Sequence, residues 1–144
     1  MALGRLLPQT ELVVVTTPQL SAQKVATRVA DMAKRSFIPL LGVVENMSYF
    51  ESGDGNKYNI FGKGGGDELS EKFGIPLLSK IPISEDSVEE SENGTPILLQ
   101  NNKTPTKEAM QDLVNTIIKV LPPVSDETCT GRLAKVLEEL EVEA

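Results

Sequence analysis

The chain has 144 residues, enough for one domain with its own core, and its formal net charge of −7 argues against a nucleic-acid-binding surface. It contains one cysteine, Cys129, and no histidine, which excludes disulfide frameworks, Cys/His metal sites and catalysis by imidazole. No apolar run approaches the ~18 residues of a membrane span, and the N-terminus lacks the pattern of a signal peptide, so we expect a cytoplasmic protein without membrane or nucleic-acid partners.

The first third of the chain predicts a strand, a helix and a second strand. The β-branched run from Leu12 to Thr17 is typical of a strand buried on both faces of a parallel sheet. An amphipathic helix follows, with Ser21 as its N-cap. Its apolar residues recur at three and four positions, at Ala22, Val25, Ala26, Val29, Met32 and Ala33. The second strand covers Pro39 to Val44, and polar residues begin at Glu45 and Asn46.

Residues 52–66 are rich in Gly, Asn, Asp and Ser and predict a loop or a small hairpin. The glycine cluster that ends this segment, FGKGGGDELS at 61–70, has the composition of a phosphate-binding loop but not its order. In a Walker A loop a lysine and a hydroxyl residue follow the last glycine, whereas Lys63 lies between glycines and an acid opens the next helix. The cluster therefore predicts positive φ angles and close packing ahead of a helix from Asp67 to Phe73, ended by Gly74. Lys63 is interpreted as a solvated cation rather than a phosphate ligand.

A third strand is predicted from Leu77 to Pro82, followed by an acidic segment between Ile83 and Pro96 with at most two helical turns. Thr104 as N-cap and Pro105 at the first helical position then predict a long helix. Its apolar positions are Met110, Leu113, Val114, Ile117 and Leu121. A further helix is expected in the tail, where an apolar stripe is formed by Leu133, Val136, Leu137 and Leu140. Strands that alternate with helices indicate an α/β fold, with a parallel sheet and helices on both faces.

Ligands of such sheets bind beyond the carboxyl ends of the strands, which are here Thr16-Thr17-Pro18, Glu45-Asn46-Met47 and Pro82-Ile83-Ser84. The amide of Asn46 offers a donor and an acceptor in one plane, which matches the N6 and N7 edge of adenine. An asparagine that bonds its own turn is the alternative. Thr16 and Thr17 either place a hydroxyl near phosphates or satisfy the turn from strand to helix.

Five segments together resemble the C-terminal half of the Mrp family, deviant P-loop ATPases related to MinD and ParA and implicated in carrying iron–sulfur clusters. The segments are VVVTTPQ at 13–19, GVVENMSYF at 42–50, FGKGGG at 61–66, FGIPLLSKIPI at 73–83 and CTGRLAKVLEEL at 129–140. The resemblance implies part of a P-loop NTPase-type sheet of about three strands, flanked by helices. It further implies an ATPase portion at 1–123 and a C-terminal helical tail at 124–144.

The resemblance also implies a nucleotide site. Asn46 is expected to line the adenine pocket together with Pro82, Ile83 and Ser84, and Thr16 and Thr17 are expected nearby. Members of the family begin with a Walker A loop and a Walker B segment that are absent from this sequence. We therefore expect a fragment or an internally initiated product, without catalytic residues and without ATPase activity on its own. The intact protein would bind and hydrolyse ATP with Mg²⁺ as a dimer and pass an iron–sulfur cluster to apo client proteins.

Many members carry C-P-x-C where this chain reads ESGDGNKYNI at 51–60. Thiolates hold iron–sulfur clusters, whereas Asp54 and Asn56 offer hard oxygen ligands, so we expect no cluster to bind in this loop. Cys129 is interpreted as neither a cluster ligand nor a reactive thiol.

Two alternative functions, each from a different class of protein, remain. One is a non-catalytic interaction domain derived from such an ATPase. The other is a small-molecule enzyme that uses carboxylates as acid and base, which is disfavoured because no carboxylate pair is placed by rigid flanking elements. We also expect a homo-oligomer, formed through an exposed apolar sheet edge or through exchange of the tail helix.

Overall fold

The computed structural model describes residues 10–84, 94–99, 101 and 103–121. By contacts the chain divides into two compact units, residues 1–114 and 115–144, and the described part of the second unit is residues 115–121. The elements in chain order are β1 (Leu12–Thr16), α1 (Leu20–Arg35), β2 (Leu40–Glu45), β3 (Phe50–Glu51), β4 (Lys57–Tyr58), α2 (Gly65–Phe73), β5 (Leu77–Lys80), a short 3-10 helix (Ile97–Leu99) and α3 (Pro105–Val120).

The three longer strands form a parallel sheet in the order β1-β2-β5. β2 is central, and its last residue, Glu45, is in register with Thr16 of β1 and Lys80 of β5. The two short strands form an antiparallel hairpin, and Phe50 also bridges to Ile83 beyond β5. The predicted α/β class, with a three-stranded parallel sheet flanked by helices, is confirmed. The predicted loop or hairpin is a small hairpin at 50–58 followed by a loop that leads into α2.

One face of the sheet carries the core, because α1 and α2 cover it. The buried cluster consists of Val14, Ala26, Ala30, Val43, Leu69 and Phe73. The face that α1 buries is a stripe of alanines, so the helix approaches the sheet closely. Val25, Val29 and Met32, predicted to be core positions, are instead 60%, 38% and 42% exposed.

The prediction that β1 is buried on both faces is wrong. Val14 is buried, but Val15 on the opposite face is 59% exposed. The physical reason is that α1 packs on the face that carries Val14, whereas the described residues leave Val15 on the opposite face uncovered. α3 contacts the sheet at β5, where Ser79 Oγ donates a hydrogen bond to Ala109 O at 3.2 Å.

The helix ends agree with the predictions at two of four places. Thr104 caps α3, since its Oγ1 accepts a hydrogen bond from Lys107 N at 3.2 Å, and Gly74 ends α2 with a φ of +65°. Ser21 is not an N-cap: α1 begins at Leu20 after Gln19, and no side chain caps it. A glycine pair extends α2 by two residues before the predicted start.

The 3-10 helix at Ile97–Leu99 was not expected from the sequence. The acidic residues 85–93, the two prolines after α3 and the predicted tail helix lie outside the described residues. None of the described helices is long and apolar enough to span a membrane.

Candidate functional site at the carboxyl ends of the strands

The carboxyl ends of the three parallel strands meet at one edge of the sheet and are joined by backbone hydrogen bonds. Asn46 N donates to Thr16 O at 2.7 Å, and Ile81 N donates to Glu45 O at 2.8 Å. Ser48 N donates to Ile81 O at 3.0 Å. The turn formed by Asn46, Met47 and Ser48, hereafter the β2 turn, is therefore held between the ends of β1 and β5.

Thr16, Thr17 and Asn46 line one groove of about 400 Å³. Its apolar wall comes from β1 and from the outward side of α1, with Val13, Val14, Val15, Ala22, Val25, Ala26 and Val29. The Thr16 hydroxyl donates to Thr17 O at 3.1 Å. Thr17 Oγ1 is buried and has no hydrogen-bond partner among the described residues, a state shared there only by Ser36 Oγ at the far end of α1. An unpaired buried hydroxyl is costly unless a ligand or water satisfies it.

Asn46 is partly buried, and its side chain bonds the β2 turn. Oδ1 accepts a hydrogen bond from Met47 N at 2.9 Å, as expected for a turn asparagine. This bond uses one of the two lone pairs on Oδ1, and the amide nitrogen makes no hydrogen bond within the described part of the chain. The turn role and an adenine contact are therefore compatible in one side-chain conformation.

Pro82, Ile83 and Ser84 line a different pocket, of about 240 Å³. Its other walls are Phe50, Glu51, Thr104, Pro105 and Thr106. Thr106, which is buried, donates from its hydroxyl to Pro82 O at 3.3 Å. The six residues predicted to bind nucleotide thus fall into two cavities, one on each side of the β2 turn, and their contact with nucleotide stays a prediction.

The glycine cluster packs against this edge of the sheet, as the sequence predicts. Gly62 and Gly64 have φ angles of +98° and +82°. A Cβ on Gly65 would lie 2.6 Å from Gln23 Nε2, and one on Gly66 would lie 2.8 Å from Glu45 Cβ. These glycines allow the start of α2 to approach β2, and Lys63 beside them is exposed.

Glu45 is the residue that sequence reasoning missed. The sequence predicts that polar residues begin at Glu45, but Glu45 is the last residue of β2 and is 1% exposed. Its carboxylate accepts hydrogen bonds from Ser48 Oγ and from Gly66 N, both at 2.5 Å. The signal in the sequence was an acid that directly follows a run of apolar strand residues.

The hairpin that replaces the paired cysteines of many Mrp members is closed by its own polar side chains. Asp54 accepts hydrogen bonds from the Ser52 hydroxyl, from Asn56 N at 3.2 Å and from Asn56 Nδ2 at 2.6 Å. The Ser52 hydroxyl, followed by Asn56, lowers the pKa of the Asp54 carboxyl below its usual value. Because both oxygens are engaged, Asp54 acts as a turn residue. No group of three or more His, Cys, Asp or Glu residues suited to a metal occurs among the described residues, and Cys129 lies outside them.

Comparison with known proteins identifies the family. The ParA family model, described as NUBPL iron-transfer P-loop NTPase, matches residues 1–118. The chain is 37% identical over 116 residues to the iron-sulfur cluster carrier protein of Pyrococcus furiosus, covering 80% of this chain and 39% of the relative. It is 35% identical over 113 residues to the protein of the same name from Bacillus subtilis, covering 78% and 32%. The chain therefore spans less than two fifths of the length of either relative.

Solved structures agree on the fold. The cell division ATPase MinD of Pyrococcus furiosus matches with a TM-score of 0.58 and 21% identity, covering 77% of this chain and 43% of MinD. A nucleotide-binding protein of Archaeoglobus fulgidus in complex with ADP matches with a TM-score of 0.50 and 32% identity, covering 65% and 42%. The resemblance inferred from the five sequence segments is thereby confirmed. Because the family model matches 118 of its 144 residues, this chain belongs to the ParA family of NUBPL iron-transfer P-loop NTPases.

Proposed function

We propose that this chain supplies the adenine side of the ATP site in an iron–sulfur cluster carrier ATPase. The observation that carries the proposal is the groove at the end of β1, which Thr16, Thr17 and Asn46 line together. The groove lies beyond the carboxyl ends of parallel strands, where α/β sheets bind their ligands. Family membership and the ADP complex of the Archaeoglobus fulgidus protein support a nucleotide as the ligand.

The chemistry of the groove suits a purine. The Asn46 amide nitrogen donates to adenine N7, and Oδ1 accepts from the N6 amino group with its remaining lone pair. Pro82, Ile83 and Ser84 line the other cavity, and we propose that they contact the nucleotide from the far side of the β2 turn.

The phosphate side of the site is not contained in this sequence, which has no Walker A loop. The described residues also do not fit a Mg²⁺ site, because no three candidate acidic or His/Cys ligands converge and the Glu45 carboxylate is held by Ser48 and Gly66. We therefore assign no catalytic step to this chain, and we expect it to bind nucleotide weakly and to release no phosphate from ATP.

The cargo of the proposed system is an iron–sulfur cluster delivered to apo client proteins in the cytoplasm. Two relatives named iron-sulfur cluster carrier proteins support this role. The hairpin at 50–58 offers no thiolate, so any cluster ligands of the intact system lie elsewhere.

Nucleotide binding can be tested with the isotope-labelled chain by NMR titration with ADP and, separately, with GDP. We expect ADP to bind more tightly than GDP and to shift the amides of Thr16, Thr17 and Asn46. Asn46→Ala should weaken ADP binding about 5-fold or more, the equivalent of one lost hydrogen bond. Asn59→Ala, at an exposed turn position outside both cavities, is the matched control and should leave the affinity unchanged. Equal binding of ADP and GDP, or equal effects of the two variants, would contradict the proposal.

A second candidate role, as an interaction domain that self-associates, is favoured by the exposed edge of the sheet. Among the described residues only β2 pairs with β1, and Val15 and Val25 beside the other edge of β1 are 59% and 60% exposed. Unpaired strand edges with exposed apolar side chains promote pairing with another chain. We propose that two copies of this chain associate through β1.

A further inference from the structure

The Glu45 carboxylate is buried at the end of the central strand without a cationic partner. It is 1% exposed, and the ion pairs found among the described residues join other side chains. A buried carboxylate is stable only when hydrogen-bond donors replace the lost water. The donors that hold Glu45 therefore indicate what this residue connects.

Each carboxylate oxygen accepts one short hydrogen bond from a different part of the fold. Ser48 Oγ donates to Oε1 from the β2 turn, and Gly66 N donates to Oε2 from the first turn of α2, both at 2.5 Å. The positive end of the helix dipole favours an anion at the second position. Glu45 thus joins the β2 turn to the start of α2.

The β2 turn needs such support because its middle residue has an unfavourable backbone conformation. Met47 has a φ of +54°, in the left-handed region that is strained for a non-glycine residue. The Ser48 hydroxyl bond to Glu45 closes the turn directly after Met47. Asn46 Oδ1 in turn accepts its hydrogen bond from Met47 N, so the backbone of Met47 sets the orientation of the Asn46 amide.

We propose that Glu45 is a positioning residue for nucleotide recognition: through Ser48 it fixes the β2 turn and thereby aims the Asn46 amide at the base. This inference rests on the proposed adenine contact of Asn46. The same carboxylate also accepts the hydrogen bond from Gly66 in the glycine cluster. A displacement of α2 would therefore change the orientation of the Asn46 amide.

The experiment uses the full chain with two variants that weaken the connection, Ser48→Ala and Glu45→Gln. Ser48→Ala removes one donor and leaves the bond from Gly66 to Glu45 in place. Ser70→Ala is the matched control, because it removes a hydrogen bond to Ile75 O of 2.6 Å within α2 and the loop after it. The readouts are the thermal midpoint, the NMR resonances of the Asn46 side-chain amide without ligand, and the affinity for ADP. Asn46→Ala identifies the amide resonances.

We expect Ser48→Ala and Glu45→Gln to shift the Asn46 amide resonances and to weaken ADP binding about 5-fold or more. Ser70→Ala should lower the thermal midpoint and change neither of the other two readouts. Unshifted Asn46 resonances in both weakened variants, or an equal shift in Ser70→Ala, would overturn the inference. ADP binding that is weakened by Asn46→Ala but not by Ser48→Ala would overturn it while leaving the proposed function intact. If ADP does not bind the unmodified chain, the proposed function is wrong, and the ligand-free resonances still decide whether Glu45 positions Asn46.

Discussion

Replacing Gly66 by alanine tests the packing of the glycine cluster against β2. An alanine Cβ at this position would lie 2.8 Å from Glu45 Cβ and 2.9 Å from Leu77 Cδ1, whereas ordinary contacts are 3.4–4 Å. The end of the Leu77 side chain can rotate away, but Glu45 Cβ is fixed by the central strand. The start of α2 therefore has to move away from β2, which stretches the hydrogen bond from Gly66 N to Glu45 Oε2.

The expected cost follows from three effects. Overpacking of a tight core site costs about 1–3 kcal/mol. A weakened hydrogen bond to a buried charged group costs up to about 1.5–3 kcal/mol. Alanine returns about 1 kcal/mol through its higher helix propensity than glycine. We expect Gly66→Ala to lower the free energy of unfolding by about 1.5–5 kcal/mol, a large part of the stability of an ordinary domain.

The assay is urea unfolding followed by far-UV circular dichroism, since the chain has no tryptophan to serve as a fluorescent probe. Gly53→Ala is the matched control, because nothing lies within 4 Å of the added Cβ and its φ is not positive. It should change the unfolding free energy by less than about 0.5 kcal/mol. Equal midpoints for Gly66→Ala and Gly53→Ala would refute the packing argument. A loss of ADP affinity in Gly66→Ala without any loss of stability would instead favour a phosphate-binding role for the cluster.

Two further predictions concern the sheet edge and the hairpin. Val15→Lys places a charge on the β1 edge and should convert the proposed oligomer to monomers in light scattering. Ile60→Lys, also at a 59% exposed position but outside the groove, should leave the oligomer intact. A wild-type chain that stays monomeric at high concentration would exclude the association. Because the folded pKa of Asp54 is lowered, mainly by the Ser52 hydroxyl, its contribution to hairpin stability is present above the usual pKa of an aspartate and is lost as the pH falls through the lowered value. An NMR titration of Asn56 N–H should show a midpoint below the usual aspartate pKa, and Ser52→Ala should raise it; a midpoint at or above the usual value contradicts the assignment.

The local signals in the sequence predicted the order of the elements well. β-Branched runs marked the strands, Thr104-Pro105 marked the start of α3, and Gly74 marked the end of α2. Each of these features acts through the backbone preferences of a few neighbouring residues, so a short stretch of sequence is enough to predict it. Ser21 shows the limit of this reasoning, since a good capping residue lies inside the first turn of α1 and caps nothing.

Burial was predicted less well, because it depends on which elements become neighbours. Val15 and Val25 have the same residue type as Val14 and Val43, yet the first two are exposed and the second two are buried. The difference arises because α1 turns its alanines toward the face that carries Val14 and Val43, which leaves Val25 on its outer side, and because Val15 lies on the opposite face of β1. Apolar periodicity predicts which residues share a face, but it does not predict what covers that face.

By itself the sequence determined the α/β class, the order of the elements and the family, because these depend on local backbone preferences and on motifs such as ENMSYF and FGKGGG. It also placed Thr16, Thr17 and Asn46 at strand ends. Only the tertiary structure decided that these three line one groove and that Pro82, Ile83 and Ser84 line another. Only the tertiary structure also showed that Glu45 is buried and connects the β2 turn to α2. Its two hydrogen-bond donors, Ser48 and Gly66, are 3 and 21 residues away along the chain and meet at the carboxylate only after folding.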